Sequence, residues 1–150
     1  MINEGSVRID LLGGTLDLAP INLIIPNVVT INAALGLKAT VEVKDCQFDG
    51  VELVSRDYQL NHTIALTDLA KKRIDAKKLG GLYFLALLIA ELKIESGLTI
   101  TMSSGAPAGS GLGGSSAMGV TLIKALLDHQ GRSMAKEQIV ALVHGVEGKI

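Results

Sequence analysis

Several residue types that mark common classes of protein are scarce in this chain. Its 150 residues include one cysteine, Cys46, so an intramolecular disulfide is excluded and a reducing, cytoplasmic location is expected. There is no tryptophan, and aromatic residues make up 3% of the sequence, which leaves few rings for stacking on bases or sugars. Charged residues are 19% and the formal net charge is −1, so we expect no nucleic-acid partner and no anionic membrane surface as partner.

Long hydrophobic runs are also missing, although 48% of the residues are hydrophobic. The most apolar stretch, 79–92, is shorter than the about 20 residues that a membrane span needs, and no secretory signal is visible at residues 1–10. The stretch is therefore expected to lie in a buried helix over 82–94. Cys46 is expected to be a small buried apolar group.

Hydrophobic periodicity and turn residues predict an α+β fold in one domain spanning residues 1–150. Strands are expected over 7–12, 28–31, 37–43, 51–56 and 97–103, and the turn signal Asp49–Gly50 predicts that 51–56 pairs back on 37–43 as a hairpin. Helices are expected from Thr67, over 82–94, over 115–129 with Gly131 after its end, and after Ser133 as N-cap. The last helix is still apolar where the sequence stops at Ile150, so we expect a truncated chain.

The most informative segment is the glycine-rich stretch 104–117, SGAPAGSGLGGSSA, between a predicted strand and a predicted helix. Glycines let a backbone approach a ligand closely, and the first turn of a helix offers unpaired N–H groups and the positive end of the helix dipole. Ser115 and Ser116 stand at that helix start, where a hydroxyl can cap the helix, bind a phosphate oxygen or reach a metal. The segment therefore predicts a polyphosphate site.

Other interpretations of this segment compete with that one. It is not a Walker A loop, because no lysine follows the last glycine before the serines. Gly109, Gly111 and Gly114 match G-x-G-x-x-G, the fingerprint of NAD-dependent oxidoreductases, but that fingerprint should begin where a strand ends, and Pro107 lies among the residues that separate it from Met102. A flexible glycine loop followed by a serine-capped helix is the purely structural alternative.

The segment resembles the central motif of the GHMP kinases, the superfamily of galactokinase, homoserine kinase, mevalonate kinase and phosphomevalonate kinase. The shared pattern is P-x-x-x-G-L-x-x-S-S-A, here over residues 107–117. Two more motifs occur in the family's order: residues 8–17 resemble the first motif, and the segment 144–147, His-Gly-Val-Glu, stands where the family has a magnesium-binding glutamate. The resemblance implies the N-terminal domain of the family, a two-layer sandwich of mixed or antiparallel sheet packed on helices, with a ribosomal-protein-like fold.

The resemblance also implies a role for each matching residue. ATP phosphates would be bound by the loop residues Pro107, Gly109, Ser110, Gly111, Leu112, Gly113, Gly114, Ser115 and Ser116. Ser116 and Glu147 would bind Mg²⁺, an ion that prefers hard oxygen ligands. Arg8 would offset charge on the transferred phosphoryl group, and Asp17, with Gly13 and Gly14, would hold the substrate.

Each of these residues also has a plainer interpretation. Arg8 could simply form an ion pair with Asp10, and Asp17 could cap a loop. His144 and Glu147 are three residues apart and could imitate a transition-metal site, but the three histidines of the chain are scattered, so an ordinary helix-surface role suits His144 better.

The first motif departs from that of the galactokinases, because Gly14, Thr15 and Leu16 replace their Glu-His-Thr. The Gly-Gly form is similar to the heptose-phosphate and fucose kinase branches, so a sugar or sugar phosphate is the expected acceptor. Sugar-kinase members carry a catalytic Asp after the magnesium Glu, which here falls beyond Ile150. We therefore expect a C-terminal domain as partner and an inactive fragment without it; the alternative is a non-catalytic module that binds a nucleotide or another protein.

Overall fold

The computed structural model describes residues 1–14, 16, 21–25, 27–107 and 109–150, with the backbone alone at residue 22. Its strands are β1 (Ile2–Leu12), β2 (Ile31–Asp45), β3 (Gly50–Ser55), β4 (Leu60–Ala65) and β5 (Leu98–Ser104). Its helices are α1 (Ile21–Ile24), α2 (Leu66–Ala70), α3 (Ala76–Leu79), α4 (Tyr83–Glu91), α5 (Gly114–His129) and α6 (Lys136–Glu147), and a 3₁₀ turn at Gly80–Leu82 precedes α4. The α+β class predicted from the sequence is confirmed.

The described strands form a five-stranded sheet in the order β1-β2-β5-β3-β4. Neighbours are antiparallel except β3 and β5, which are parallel. The predicted hairpin between residues 37–43 and 51–56 is wrong, because β5 lies between β2 and β3: Ile100 is opposite Val43 on one side and opposite Leu53 on the other. The turn before β3 fixes only a local change of direction, and β3 instead pairs with β4, a strand that the sequence pattern did not indicate.

One face of the sheet carries the core. Ala39, Val41 and Val43 of β2 alternate with polar residues and are buried, as are Leu98, Ile100 and Met102 of β5. This alternation confirms both predicted strands, but Leu37 is 39% exposed because it falls where the pairing of β1 with β2 shifts register. Helix α5 packs on β1 and β2, and α4 and α6 pack beside it, so the helices form the second layer.

The apolar stretch around α4 is buried, as predicted, with Leu85, Ala86, Leu88 and Ile89 inside the core. No helix in the described part of the chain combines the length and hydropathy that a bilayer span requires. The helix is shorter than predicted because the stretch begins with the 3₁₀ turn and ends at Glu91. Residues 28–30, expected to belong to a strand, have no regular structure, and β2 begins only at Ile31.

The end of α5 and the start of α6 are capped in different ways. The chain leaves α5 through Gly131 at a φ of 64°, with Gly131 N–H donating to Asp128 O (3.2 Å) and Arg132 N–H donating to Leu127 O (2.8 Å). This is the Schellman arrangement, so the predicted glycine cap is confirmed. Ser133 is not the N-cap of α6, because the helix begins at Lys136 and Ala135 holds the cap position, its N–H bonded to the Gln138 side chain (3.1 Å).

The expectation that Cys46 is a small buried apolar group is wrong, since the residue is half-buried just beyond the end of β2. Its Sγ lies 3.7 Å from the carbonyl oxygen of Phe48 and 3.9 Å from that of Gly50, within the turn that leads into β3. Gly97 packs against the same turn, and Cys46 N–H donates to Gly97 O at 3.0 Å. These contacts give Cys46 a structural place at the end of the sheet.

Candidate functional site

The glycine-rich loop leaves β5 and is tied to the sheet at both ends. Gly105 N–H donates to Lys38 O (2.8 Å), and Ala106 N–H donates to the Ser104 hydroxyl (3.2 Å). Farther on, Arg8 N–H donates to Leu112 O at 3.1 Å, which fastens the end of the loop to β1. The loop is thus a shaped connection between β5 and α5.

Alternate glycines give the loop its path. Gly109, Gly111 and Gly113 have φ values of 74°, 71° and 63°, a region that other L-residues enter at a cost. Gly113 is also the N-cap of α5, and a Cβ atom there would lie 3.3 Å from Nη1 of Arg8. The backbone geometry therefore favours glycine at this position, and the absence of a Cβ atom lets the arginine approach closely.

The first turn of α5 has no side-chain cap. The first helical hydrogen bond is from Ala117 N–H to Gly113 O (3.0 Å), and among the described residues no acceptor pairs with the N–H groups of Gly114, Ser115 and Ser116. This contradicts the alternative in which the two serines cap the helix. The turn instead presents free amides and the positive end of the α5 dipole, the arrangement that binds phosphate groups in proteins.

Ser116 joins the start of α5 to the end of α6. Its Oγ lies 3.1 Å from both Oε1 and Oε2 of Glu147 and donates its hydrogen between them. The two residues that resemble the magnesium ligands of the family are therefore in contact, although they are far apart in sequence. The pair offers a hydroxyl and a carboxylate, the hard oxygen donors that Mg²⁺ prefers.

A protein-only metal site is not present in the described residues, because they hold no group of three or more His, Cys, Asp and Glu side chains that could enclose an ion. Mg²⁺ in nucleotide sites needs less, since one or two protein oxygens suffice when phosphate oxygens and waters complete its shell. The Ser116–Glu147 pair fits that requirement.

Arg8 lies between an acidic residue and the glycine loop. Its Nε donates to Asp10 Oδ1 at 2.9 Å, so the ion pair considered from the sequence exists. The guanidinium also packs against Gly113, which means that the pair does not take Arg8 away from the loop. Both side chains are partly exposed, at 33% for Arg8 and 24% for Asp10, so the guanidinium keeps access to a ligand.

The glycines of the first motif pack tightly behind this pair. A Cβ atom at Gly14 would lie 2.7 Å from Cβ of Asp10, and one at Gly13, where φ is 75°, would lie 2.5 Å from the carbonyl oxygen of Val29. Gly14 is thus placed beside Asp10 and Gly13 beside Val29, whereas Asp17 lies outside the described residues. The predicted substrate role of these residues stays a prediction.

A cavity of about 370 Å³ opens along the loop. One wall is formed by residues 109–116 together with Glu147. The other end is formed by apolar side chains, among them Tyr58 from the β3–β4 turn and Phe84 and Leu85 from α4. Asp57 closes the rim and accepts a hydrogen bond from Ser104 N–H (2.6 Å), which ties the β3–β4 turn to the end of β5.

No pattern in the sequence indicated this apolar end of the cavity. Tyr58 and Phe84 are two of the four aromatic residues of the chain. Because aromatic residues are so few, each of them could have been singled out from the sequence as a candidate for contact with a ligand ring. They come from a turn and a helix that meet the loop only in the folded sheet, so no spacing pattern links them. Pro107, Ser110 and Ser115 of the predicted loop set do line the cavity, together with Leu112.

A second cavity of about 280 Å³ lies on the other side of the loop's end. It is bounded by β1, α5 and α6, and it shares Gly113 and Ser116 with the first cavity. Arg8 and His144 line it as well. His144 is exposed on α6, as expected for a helix-surface residue, yet it borders a cavity that meets the glycine loop.

The part of the chain that carries the loop, α5 and α6 matches a known family. Residues 77–150 match the family model described as the GHMP kinases N terminal domain. The curated proteins contain no match to the chain.

Solved structures of similar fold cover nearly the whole chain. Mevalonate kinase from Methanococcus jannaschii has a TM-score of 0.81 and 24% identity over 98% of this chain and 45% of its own. A D-glycero-D-manno-heptose 1-phosphate kinase from Bacteriodes thetaiotaomicron has a TM-score of 0.77 and 25% identity, over 97% and 47%. Lactococcus lactis galactokinase, complexed with galactose, has a TM-score of 0.77 and 19% identity, over 99% and 38%. The chain thus spans less than half the length of each of these three structures.

Proposed function

We propose that this chain, as a member of the GHMP kinase superfamily, is the nucleotide-binding domain of an ATP-dependent kinase. The enzyme would phosphorylate a hydroxyl of a small molecule. The observation that carries the proposal is the contact between Ser116 and Glu147 at the mouth of a loop with free amides. This contact places the hydroxyl and the carboxylate, oxygen donors that suit Mg²⁺, next to a helix start that suits phosphate. Residues 1–150 would form this domain, and a C-terminal domain would complete the enzyme in the cytoplasm.

In this proposal the glycine loop binds the phosphates of ATP. The amides of Gly114, Ser115 and Ser116 would donate to phosphate oxygens. The preceding glycines adopt positive φ values and carry no side chain that could block the phosphates. Pro107 and Ser110 set the turn at the outer part of the loop, since Ser110 N–H donates to Pro107 O at 3.2 Å. A preformed loop of this kind reduces the entropy that binding must overcome.

The apolar end of the first cavity would receive the nucleoside. Tyr58 and Phe84 offer aromatic surface there, and Gly81 leaves room, since a Cβ atom at Gly81 would still lie 3.9 Å from the Tyr58 ring. Aromatic contacts with a base tolerate different bases because they depend on the ring face. We therefore assign base binding to these residues and phosphate binding to the loop.

Magnesium would be held by Ser116 and Glu147. A bound Mg²⁺ would supply positive charge that offsets the negative charge developing on the phosphates during transfer. The residues of the chain have separate tasks: Glu147 accepts the Ser116 hydrogen and thereby orients its oxygen lone pairs, and the amides at the start of α5 orient the phosphates. Arg8 supplies a further positive charge beside Gly113, held in direction by Asp10.

A sugar or sugar phosphate is the proposed acceptor. Support comes from the Gly13–Gly14 form of the first motif, which resembles that of the heptose-phosphate branch, and from the likeness to a heptose 1-phosphate kinase at 25% identity. Asp17 is proposed to hold acceptor hydroxyls, with Gly13 and Gly14 allowing the acceptor to approach the backbone. The catalytic base is proposed to lie in the C-terminal domain.

The second candidate, a non-catalytic module that binds a nucleotide or a partner, would share the loop but transfer no phosphate.

A measurement of phosphate transfer distinguishes the kinase from the non-catalytic module. The full-length protein is incubated with ATP, Mg²⁺ and a panel of sugars and sugar phosphates, and ADP and phosphorylated products are measured. The kinase proposal expects transfer to at least one acceptor and a loss of about tenfold or more in Ser116→Ala, with Ser133→Ala as the matched control on an exposed residue away from both cavities. Nucleotide binding without transfer to any acceptor would favour the module.

A further inference from the structure

We propose that Asp57 and Ser55 select the nucleobase in the first cavity: Asp57 accepts a hydrogen bond from the 6-amino group of adenine, and Ser55 donates one to a neighbouring ring nitrogen. The assignment rests on the proposed kinase function and names the residues that would make the site specific for ATP among nucleoside triphosphates. The rings of Tyr58 and Phe84 cannot provide this specificity alone, because an aromatic face stacks on any base.

Ser55 offers a hydrogen-bond donor inside the cavity. It ends β3, lines the first cavity and is only 5% exposed. Its Oγ accepts a hydrogen bond from Tyr58 N–H at 3.4 Å, and among the described residues no acceptor takes the hydrogen of the Ser55 hydroxyl. Leaving a buried donor without an acceptor costs free energy, so a ligand atom that accepts this hydrogen gains affinity.

Asp57 offers an acceptor in the same cavity. It lies in the β3–β4 turn, where its Oδ2 accepts from Ser104 N–H at 2.6 Å, which leaves Oδ1 for a ligand. No lysine or arginine of the described residues forms an ion pair with it. An ionised carboxylate accepts hydrogen bonds and donates none, so it favours a base that presents an N–H group and disfavours one that presents an oxygen.

The turn that carries both residues is attached to β5. Arg56 N–H donates to Met102 O at 3.0 Å, and the bond from Ser104 N–H to Asp57 lies two residues farther along the same strand. The groups assigned to the base and the loop assigned to the phosphates therefore adjoin the same strand end. Groups that are already held in place lose little entropy when a ligand binds, which favours recognition by hydrogen bonds.

The donor and the acceptor together match adenine. Adenine carries an amino group at position 6, with a ring nitrogen that accepts a hydrogen bond on either side of it. Hypoxanthine and guanine carry an oxygen at position 6, which would face the Asp57 carboxylate as acceptor against acceptor. A site built to bind an N–H group rejects the analogue without it, because the polar groups of the site are then left unpaired.

Nucleotides that differ in the base test the contact at position 6. The full-length protein with Mg²⁺ is titrated calorimetrically with ATP, ITP and CTP. ITP has an oxygen in place of the 6-amino group, and we expect its Kd to exceed that of ATP by about tenfold or more. CTP has an amino group beside a ring nitrogen on a smaller ring, and it should bind more weakly than ATP because it covers less of the Tyr58 and Phe84 rings.

Asp57→Asn is expected to shift the preference towards ITP. The amide oxygen keeps the bond from Ser104 N–H, and the amide nitrogen can donate to the 6-oxygen of ITP but cannot accept from adenine. The ratio of the Kd for ITP to the Kd for ATP should therefore fall by about tenfold or more. A residue that only held the turn in place would weaken both nucleotides equally and leave this ratio unchanged.

Asp49→Asn is the matched control. Asp49 is an exposed carboxylate in the turn before β3, whereas Asp57 lies in the turn after it, and Asp49 lines neither cavity. This variant also loses one negative charge, so it reports the general effect of charge on nucleotide binding. We expect its ratio of Kd values to equal that of the unmodified protein.

Analogues without one ring nitrogen test Ser55. We expect either 1-deaza-ATP or 7-deaza-ATP to bind about tenfold more weakly than ATP, which identifies the nitrogen that accepts the Ser55 hydrogen. In Ser55→Ala this difference from ATP should disappear, because the hydroxyl that senses the nitrogen is gone. A difference that persists in Ser55→Ala would overturn the assignment of Ser55.

Four other results would overturn the inference while leaving the kinase proposal intact: equal Kd values for ATP and ITP, CTP bound as tightly as ATP, a ratio unaffected by Asp57→Asn, or both deaza analogues bound as tightly as ATP. Absence of binding of every nucleotide would overturn the kinase proposal and this inference with it.

Discussion

The Ser116 hydroxyl on α5 donates to both carboxylate oxygens of Glu147 on α6, at 3.1 Å each. The contact joins the first turn after the glycine loop to the last turn of α6. It brings together, from two helices, the oxygen donors that would share one magnesium ion.

The first prediction concerns Glu147. Glu147→Gln keeps the shape and a hydrogen-bond acceptor but removes the charge, so we expect the concentration of Mg²⁺ needed for half-maximal turnover to rise about tenfold or more. Loss of the charge-assisted bond should cost the fold only about 1 kcal/mol. The measurement is a Mg²⁺ titration of ATP turnover, alongside thermal unfolding.

Glu137→Gln is the control for that experiment, since Glu137 lies exposed in the first turn of the same helix and lines neither cavity. An unchanged Mg²⁺ requirement in Glu147→Gln would exclude Glu147 as a ligand. An equal change in both variants would point to a general effect of charge on α6.

The second prediction concerns the end of the glycine loop. Gly113→Ala puts a methyl group on a residue whose φ is 63° and places it 3.3 Å from Arg8 Nη1. The left-handed backbone costs about 1–2 kcal/mol for an L-residue, so the melting temperature should fall, and a shift of the loop should weaken ATP binding. Calorimetric titration with ATP and thermal unfolding provide the two measurements.

Gly145→Ala is the matched control within α6, where a Cβ atom meets no other atom within 4 Å. Alanine in a helix interior is more stable than glycine by about 0.5–1 kcal/mol, so this variant should melt at a higher temperature with ATP affinity unchanged. A melting temperature that does not fall in Gly113→Ala would show that the loop does not hold this backbone conformation.

The third prediction concerns the turn at the end of the sheet. A Cβ atom at Gly97 would overlap the carbonyl oxygen of Phe48 and lie 3.0 Å from that of Cys46, both backbone atoms that cannot rotate away. We expect Gly97→Ala to lower the free energy of unfolding by about 2–4 kcal/mol, measured by denaturant unfolding. Gly36→Ala, where a Cβ atom meets nothing within 4 Å, should stay within about 0.5 kcal/mol of the unmodified protein.

The fourth prediction concerns pH. A hydrogen bond from Lys124, followed by one from Asn3, holds the pKa of Asp128 below its ordinary value of 3.8. Because the folded-state pKa is lower than the unfolded one, the ionised pair stabilises the fold above about pH 4, and this stability is lost as the pH falls through the folded-state pKa.

Asp128→Asn should therefore lower the melting temperature at neutral pH and flatten its decline in the acid range. Asp49→Asn, which removes an exposed carboxylate from a turn without removing an ion pair of the described residues, is the control. Equal acid sensitivity in Asp128→Asn and the unmodified protein would contradict the assignment.

Local signals in the sequence were enough for the loop and its helix. The glycines of the segment, the serines after it and Gly131 each act within a few residues, so their pattern predicts a strand, a glycine loop and a helix with its end, as observed. Phosphate binding by that loop stays a prediction. The start of helix α6 was harder to predict, because Ser133 is a residue type that favours the N-cap position, whereas Ala135, in an extended conformation, holds it.

Pairing between distant segments was not predictable in the same way. The turn signal before β3 suggested a hairpin with β2, but β5, which follows much later in the chain, inserts between them and pairs in parallel with β3. The same long-range arrangement brings Tyr58 and Phe84 to the loop. The apolar end of the first cavity is therefore a product of the tertiary fold, and no spacing in the sequence indicates it.

The central claim is that the glycine loop binds ATP together with Mg²⁺, and calorimetric titration of the full-length protein tests it most directly. ATP is titrated with Mg²⁺ present and again with Mg²⁺ chelated, and NAD is titrated under the same conditions. The account predicts that ATP binds, that Mg²⁺ tightens its binding, and that NAD does not bind. Binding of NAD without binding of ATP would contradict it.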